Sequence, residues 1–283
     1  MKLSAILQDA SQRFAEVGIE SHQADAEILL AHVLDVSRGE LTSMIFMDAS
    51  IESDKLRIFE ELLVKRADRF PLQHLTGTAA FRKIELTVGP GVFVPRFETE
   101  VIVGKALEFL ASLDFDTPVV VDLATGSGAI ALSVAVEFPT AEIHAVELSE
   151  QALEYTKRNF QKYAANADLR QGDLSAAFPD LNGLVDVVIS NPPYIPDEMI
   201  PIYPEVQLHD PKLALYGGAD GLDIVRNVEL TAKRLLKPGG SLFIEHADMQ
   251  GEAVRAILLA TGWHEVKTHQ DLAGRDRLVS AIR

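Results

Sequence analysis

Val119-Val120-Val121-Asp122-Leu123-Ala124-Thr125-Gly126-Ser127-Gly128 decides the fold. Three consecutive β-branched residues read as a buried strand. The glycines allow a tight turn and close approach of a ligand to the backbone, and a helix is expected over 128–137. This is a strand–turn–helix step of an open α/β sheet, whose ligands lie beyond the carboxyl ends of the strands. The turn is not the dinucleotide fingerprint G-x-G-x-x-G, because the third glycine position holds Ala131. Its charge is also wrong. The Asp122 carboxylate repels a pyrophosphate and attracts a ligand carrying an ammonium and a sulfonium.

Outward from this step the chain keeps alternating. Strands are expected at 118–122, 141–146, 167–171, 184–190, 240–246, 262–268 and 277–282, and helices at 128–137, 149–164, 220–236 and 248–260. Such alternation implies a mostly parallel sheet covered on both faces. The last two strands leave no room for a crossover helix, so an antiparallel pair is expected at that edge. The second strand ends in Glu147, where a carboxylate accepts hydrogen bonds from ribose hydroxyls. Asp173 follows the third strand, placed to face an adenine amino group. One such acid is an ordinary solvated loop residue. Acids at three successive strand ends fit S-adenosylmethionine better than NAD.

The fourth strand, Val185 to Ile189, runs into Asn191-Pro192-Pro193-Tyr194. Two prolines hold an extended path and remove two backbone donors, so the loop presents carbonyl acceptors. Asn191 adds an amide and Tyr194 a flat ring with a polar tip. A rigid turn with Asn191 capping the strand end would use the same residues. Beside a methyl donor, the loop fits a planar NH2 group, adenine or amide. Asn191 and the Pro192 carbonyl would orient its protons, and Tyr194 would stack on its face.

Residues 1–71 read as helices only, a small bundle suited to docking a protein; His22 and His32 lie in it without metal-ligand spacing. Residues 72–95 read as a β-hairpin linker, and 96–283 as the α/β domain. Glu98 and Glu100 sit in the first turn of the next helix, where acids suit its macrodipole. The 283 residues carry a net charge of -16 and no cysteine. Thiolate metal sites and disulfides are thereby excluded, and a large phosphate-binding surface is disfavoured. No apolar stretch is long enough to span a bilayer, and Met1 to Ala5 lack a signal-peptide core, so a cytoplasmic location is expected.

The chain closely resembles the HemK/PrmC family, the release-factor glutamine N5-methyltransferases. The resemblance runs essentially end to end. It includes Leu75-Thr76-Gly77, Phe93 to Glu100, Asp122 to Leu132, Ser190 to Pro196, Glu205-Val206, Asp210-Pro211, Gly217 to Leu222, Lys237 to Gly240 and Asp271 to Arg277. It implies a Rossmann-like class I methyltransferase domain with a seven-stranded, mostly parallel sheet, behind an N-terminal helical domain and hairpin linker. It further implies S-adenosylmethionine as donor, S-adenosylhomocysteine as product, and no metal. The implied substrate is the glutamine of the Gly-Gly-Gln loop in class I peptide release factors, bound by a monomer. Asn191, Pro192, Pro193 and Tyr194 would hold the amide. Asp122, Ala124, Thr125, Gly126, Ser127, Gly128, Glu147, Asp173, Leu174 and Asn191 would line the donor pocket. Three positions depart from the family pattern: Ala124 for a common Gly, Phe97 for a common Pro, and Glu147 for the commoner Asp. The nearest rival is an adenine-N6 methyltransferase flipping its base into the same loop; the acidic charge and lack of a basic, aromatic-interleaved segment oppose it. A non-catalytic translation-factor-binding protein would need neither the acidic strand ends nor the proline loop.

Overall fold

The computed structural model describes residues 1–114 and 116–283. They form two compact units: Met1–Thr78 with Ile202–His209, and Ala79–Pro201 with Asp210–Arg283.

The first unit is helical: Leu3–Glu16, His22–Leu34, Arg38–Phe46, Ser53–Ala67 and Leu72–Thr76, with the short helix Pro204–His209. Local sequence starts the third helix. The Ser37 N–H donates to Glu40 Oε2 at 2.8 Å while the Glu40 N–H donates to Ser37 Oγ at 3.2 Å, a capping box. Leu3, Ile6, Ala10 and Phe14 recur at helical spacing on the first helix and bury one stripe against Leu29, Leu30, Phe59 and Leu63. His22 sits 2.8 Å from Ser11 Oγ, a packing contact between helices.

One ion-pair group lies inside this unit. Arg66 Nε donates to Asp25 Oδ2 at 2.7 Å and its Nη1 to Glu205 Oε1 at 2.9 Å; Arg69 also reaches Glu205, at 3.2 Å. The Arg66 and Asp25 side chains are only 7% and 6% exposed. Glu205 therefore explains why residues 202–209 belong here: the helix they form is fastened by charges contributed over a hundred positions earlier in the chain.

A two-stranded hairpin, β1 (Thr78–Phe81) and β2 (Ile84–Thr87), lies in the second unit from Ala79 onward and precedes a seven-stranded sheet. Its strands are β3 (Val119–Leu123), β4 (Glu142–Glu147), β5 (Asp168–Gln171), β6 (Val185–Ser190), β7 (Leu236–Glu245), β8 (His264–Gln270) and β9 (Asp276–Ile282). The order is β5-β4-β3-β6-β7-β9-β8; the first five run parallel, and β9 is antiparallel to both its neighbours. Period-two alternation sends Val120, Ile143, Val187 and Phe243 into one core with Ile102, Val103 and Leu132. Val121, Val146, Val188 and Leu242 enter the other, with Val225, Val228, Leu235 and Val254. This is the expected Rossmann-like architecture, its strand ends collected on one edge.

The segment 72–95 holds the expected hairpin; residues to Thr78 group with the helical unit, and Phe81, Ile84 and Leu86 pack into the core of the second. One detail differs from the sequence-based expectation. Strand β7 starts at Leu236 rather than 240. Lys237-Pro238-Gly239-Gly240 reads as a turn, yet Val185 pairs with Leu236 and Val187 with Ser241, so the extra residues form an irregularity inside the strand.

Arg66→Met should leave Asp25 and Glu205 without their shared cation. Removing one partner of a buried pair costs about 3–5 kcal/mol, so the urea midpoint should fall steeply. An unchanged midpoint would show that the pair carries no stability.

Candidate active site

The turn after β3 is built around Asp122, which is 1% exposed. Its Oδ2 accepts from Thr125 Oγ1 at 2.6 Å and from the Ala131 N–H at 3.1 Å, while Oδ1 is buried with no partner. Burial pushes the carboxyl up to about 7, against the lowering effect of both hydrogen bonds. Ala124, Gly126 and Gly128 all have positive φ, at 61°, 60° and 83°. Ala124 thus takes a left-handed conformation natural to glycine, and its Cβ adds about 1–2 kcal/mol of strain to the turn.

Two residues that the sequence reading passed over hold this turn from behind. Thr156 Oγ1 donates to the Gly126 carbonyl at 2.7 Å, and Asn159 Nδ2 donates to the Ser127 carbonyl at 2.9 Å. Both are fully buried on the helix Glu150–Lys162. Their only trace in the sequence is polar residues falling on that helix's apolar face. A Cβ on Gly128 would lie 2.9 Å from Thr156 Cγ2, whereas one on Gly126 would meet nothing within 4 Å. The turn is therefore packed tightly at its base and open at its tip.

Glu147, at the end of β4, meets the same turn. Its Oε2 accepts from the Gly126 N–H at 2.9 Å and its Oε1 from the Ser149 N–H at 2.8 Å. Burial raises its pKa too, and lone pairs remain for a hydroxyl donor. The longer side chain at this position thus reaches back to the loop. Asp173 follows β5 but is exposed; its Oδ1 is occupied by the N–H and hydroxyl of Ser175, which hold its pKa down. Leu174, next to it, is half-buried against the core.

The proline loop lies beside the turn, because β6 pairs with β3 and Ser190 faces Leu123. Asn191 Nδ2 donates to Thr99 Oγ1 at 3.2 Å. That contact uses one of the amide's two N–H donors and leaves Oδ1 as an acceptor. Pro192 is buried, and among the described residues no donor bonds its carbonyl. The Tyr194 hydroxyl donates to Glu245 Oε1 at 3.3 Å, and burial together with that carboxylate raises its pKa. Gln250 Nε2 donates to the Tyr194 carbonyl at 2.9 Å. Beyond the loop, the Ile195 N–H bonds the Leu215 carbonyl at 2.8 Å and the Gly217 N–H returns to the Ile195 carbonyl at 2.9 Å. A Cβ at Gly217 would approach the Pro193 carbonyl oxygen to 2.6 Å, and one at Gly221 would collide with the Tyr194 carbonyl oxygen.

Thr99, Glu245 and Gln250 are the residues that the sequence reading missed here. Thr99 lies in the Arg96 to Glu100 stretch, whose two acids have partners other than the macrodipole. Glu98 pairs with Arg275 at 3.1 Å, and Glu100 accepts from the Arg82 N–H at 2.9 Å. Arg96 pairs with Asp210 at 2.6 Å and lies over the Phe93 ring, while Phe97 is exposed. Asp210 keeps one buried oxygen unpartnered, and burial raises its carboxyl to about 6. Among the described residues no group of three His, Cys, Asp or Glu could hold a metal ion, and no helix is long and apolar enough to cross a membrane.

Fold and edge together define a class I methyltransferase. Among solved structures, a methyltransferase from Pyrococcus furiosus aligns with 70% of this chain and 87% of its own, at a TM-score of 0.51 and 19% identity. Residues 5–77 match the PrmC N-terminal domain family and residues 83–200 the methyltransferase small domain family. A release factor glutamine methyltransferase from Streptomyces coelicolor is 50% identical over 99% of this chain and 97% of its own length. A 4-amino-L-phenylalanine/4-methylamino-L-phenylalanine methyltransferase from Streptomyces pristinaespiralis is 38% identical over 99% and 95%. The chain belongs to the release factor glutamine methyltransferase family.

Asp122 should make the free protein's stability fall as pH rises. Its folded-state pKa is near 7, above that of the unfolded chain. The folded state therefore holds a proton that the unfolded state has already lost, and stability drains away between about pH 4 and pH 7. Asp122→Asn should flatten this decline in urea midpoints measured across that interval; an identical slope in both proteins would count against the burial effect. Gly221→Ala should push the proline loop off its supports, cutting turnover on the order of 100-fold. Wild-type turnover in that variant would show that the close approach is immaterial.

Proposed function

We propose that this chain transfers a methyl group from S-adenosylmethionine to the side-chain amide N5 of the glutamine in the Gly-Gly-Gln motif of class I peptide release factors, tuning translation termination. The donor, when bound, supplies an electrophilic methyl on a cationic sulfur and leaves as S-adenosylhomocysteine. Asp122 suits it: a buried carboxylate with a free oxygen gains most from a cationic neighbour. Ala124 to Gly128 give the open tip of the turn, Glu147 offers its remaining lone pairs to ribose hydroxyls, and Asp173 with Leu174 borders the adenine.

The observation that carries the acceptor assignment is the Asn191–Thr99 hydrogen bond. With one N–H of its amide held by Thr99, Asn191 keeps Oδ1 as an acceptor, and the unbonded Pro192 carbonyl provides a second. Two acceptors fit the two protons of a primary amide and align its nitrogen with the donor methyl. Carbonyl conjugation makes that nitrogen a weak nucleophile, and acceptors on its protons favour the positive charge that develops during transfer. Tyr194 packs against the flat group, with its hydroxyl kept protonated by burial. The amide proton lost after transfer goes to solvent.

Adenine also presents a planar NH2, and so does the arylamine in the name of the Streptomyces pristinaespiralis relative. The protein substrate is favoured by the end-to-end 50% identity with a release factor glutamine methyltransferase and by the net charge of -16, which repels nucleic acid. The helical unit would dock the release factor, and the chain would act as a cytoplasmic monomer. Labelled donor and purified release factor should give label on the Gly-Gly-Gln glutamine, mapped by mass spectrometry. Label on nucleic acid alone, or none on that residue, would overturn the assignment. Asn191→Ala should keep donor affinity while kcat drops by about 10²–10³; undiminished turnover would remove Asn191 from the acceptor site.

A further inference from the structure

Thr99 is the last residue before the helix Glu100–Leu110, and it is buried. A hydroxyl at that place commonly caps the helix by accepting one of its first free N–H groups. Here the Thr99 backbone is already helical, at φ −65° and ψ −17°, and its side chain caps nothing. The hydroxyl instead accepts from Asn191 Nδ2 at 3.2 Å. Helix ends fray, so an end that has given up its cap needs other contacts to keep that hydroxyl in place.

The turn Phe97–Thr99 has three of them. The Arg82 N–H donates to Glu100 Oε1 at 2.9 Å, Arg275 pairs with Glu98 at 3.1 Å, and Arg96 pairs with Asp210 at 2.6 Å. The Glu98–Arg275 pair is partly exposed on both sides, and water weakens it. Asp210 differs. Its side chain is 1% exposed, and Arg96 is its one ion-pair partner among the described residues.

The Arg96–Asp210 pair also closes a ring. From Asn191 the path runs to the Thr99 hydroxyl, and from the Thr99 N–H to the Arg96 carbonyl at 3.1 Å. The Arg96 guanidinium, lying over the Phe93 ring, carries it to Asp210. Asp210 opens the segment in which the Leu215 N–H donates to the Lys212 carbonyl at 3.1 Å. The Leu215 carbonyl then accepts from the Ile195 N–H at 2.8 Å, one residue beyond Tyr194. The proline loop is one arc of this ring, and the ion pair is its one charged contact.

We propose, on the amide reading of the proline loop, that Asp210 and Arg96 are positioning residues for methyl transfer: their ion pair holds the turn that aims the Thr99 hydroxyl at Asn191. With the pair intact, the loop is held at Asn191 from one side and at Ile195 from the other. Without it, Arg96 keeps only the Phe93 ring, and the turn can fray. The Thr99 hydroxyl then leaves Asn191, whose amide turns freely and no longer fixes Oδ1 against the acceptor. The donor turn after β3 takes no part in the ring, so donor binding is untouched.

The test is steady-state methylation of release factor by the whole chain, with donor affinity followed separately by calorimetry. Arg96→Met and Asp210→Asn should each lower kcat on the order of 10-fold, because in-line transfer is sensitive to small misalignment. The KM for release factor and the donor affinity should stay within about twofold of wild type, as for a contact that matters only in the transition state. Arg96→Lys, which keeps the charge, should recover most of the turnover. Thr99→Val should lose at least as much as Asp210→Asn. Adding Asp210→Asn to Thr99→Val should cost nothing further, since residues acting through one contact are not additive. Wild-type kcat in either Arg96→Met or Asp210→Asn, losses that multiply in the double variant, or a loss confined to donor affinity overturns the proposal while leaving the release-factor reading intact. A wild-type chain that leaves the release factor unmethylated strikes that reading and this role with it.

Discussion

A parallel sheet has one chemical asymmetry that the rest of this unit obeys: successive strands deliver their carboxyl ends to the same edge. Here β3, β4 and β7 deliver Asp122, Glu147 and Glu245, and all three are buried carboxylates whose pKa is raised by burial. Keeping three such groups near one another opposes folding, since each charge has left water. The arrangement persists because each carboxylate is partly satisfied by neighbouring donors: Thr125 and Ala131 for Asp122, Gly126 and Ser149 for Glu147, and Tyr194 for Glu245. What those donors leave over is directed negative potential, at Asp122 and Glu245 above all, since each keeps one buried oxygen with no partner. A cationic ligand gains there what it could not gain from a carboxylate already neutralised by an arginine.

The opposite design appears wherever the protein needs stability instead of binding. Asp25 is as buried as the edge carboxylates, but Arg66 meets it at 2.7 Å. Glu137 is met by Arg82 and Lys83, which hold its pKa down. Both pairs fasten elements to one another and leave no uncompensated charge. The contrast is electrostatic: Asp25 and Glu137 have cations, whereas the acids at β3 and β4 have N–H and O–H dipoles. Glu245 lies between these limits, with Arg277 favouring its charge at a distance while Tyr194 supplies the hydrogen bond.

This division explains what the sequence made legible. Strands announce themselves by β-branched runs, and an acid just after such a run is visible in the chain, so Asp122 and Glu147 could be placed before any coordinates. Asn191 was visible for the same reason. Groups that act from behind could not be read in this way. Thr156 and Asn159 meet the glycine turn from a helix some 30 positions later, and Thr99 meets Asn191 from 92 positions earlier. Glu205-Val206 was visible only as part of the resemblance, and its place with the helical unit was not legible because the cations that fasten Glu205 lie 139 and 136 positions away. Periodicity encodes which face of an element is buried; it does not encode which distant element supplies a hydrogen bond.

Rigidity of the proline loop follows from the same logic of support from behind. Two prolines fix φ but leave ψ and the side chains free, so they cannot by themselves aim Asn191 or Tyr194. Aim comes from Thr99 on the Asn191 amide, Glu245 on the Tyr194 hydroxyl and Gln250 on the Tyr194 carbonyl. Gly217 and Gly221 let a second segment press against the loop backbone where any side chain would collide. Each support reaches a different atom, so losing one leaves the loop in place but free to turn about the others. A transferred methyl tolerates little error in the line between donor and nitrogen, so the selectivity for a planar NH2 proposed above for this loop would be a property of its supports as much as of its four residues.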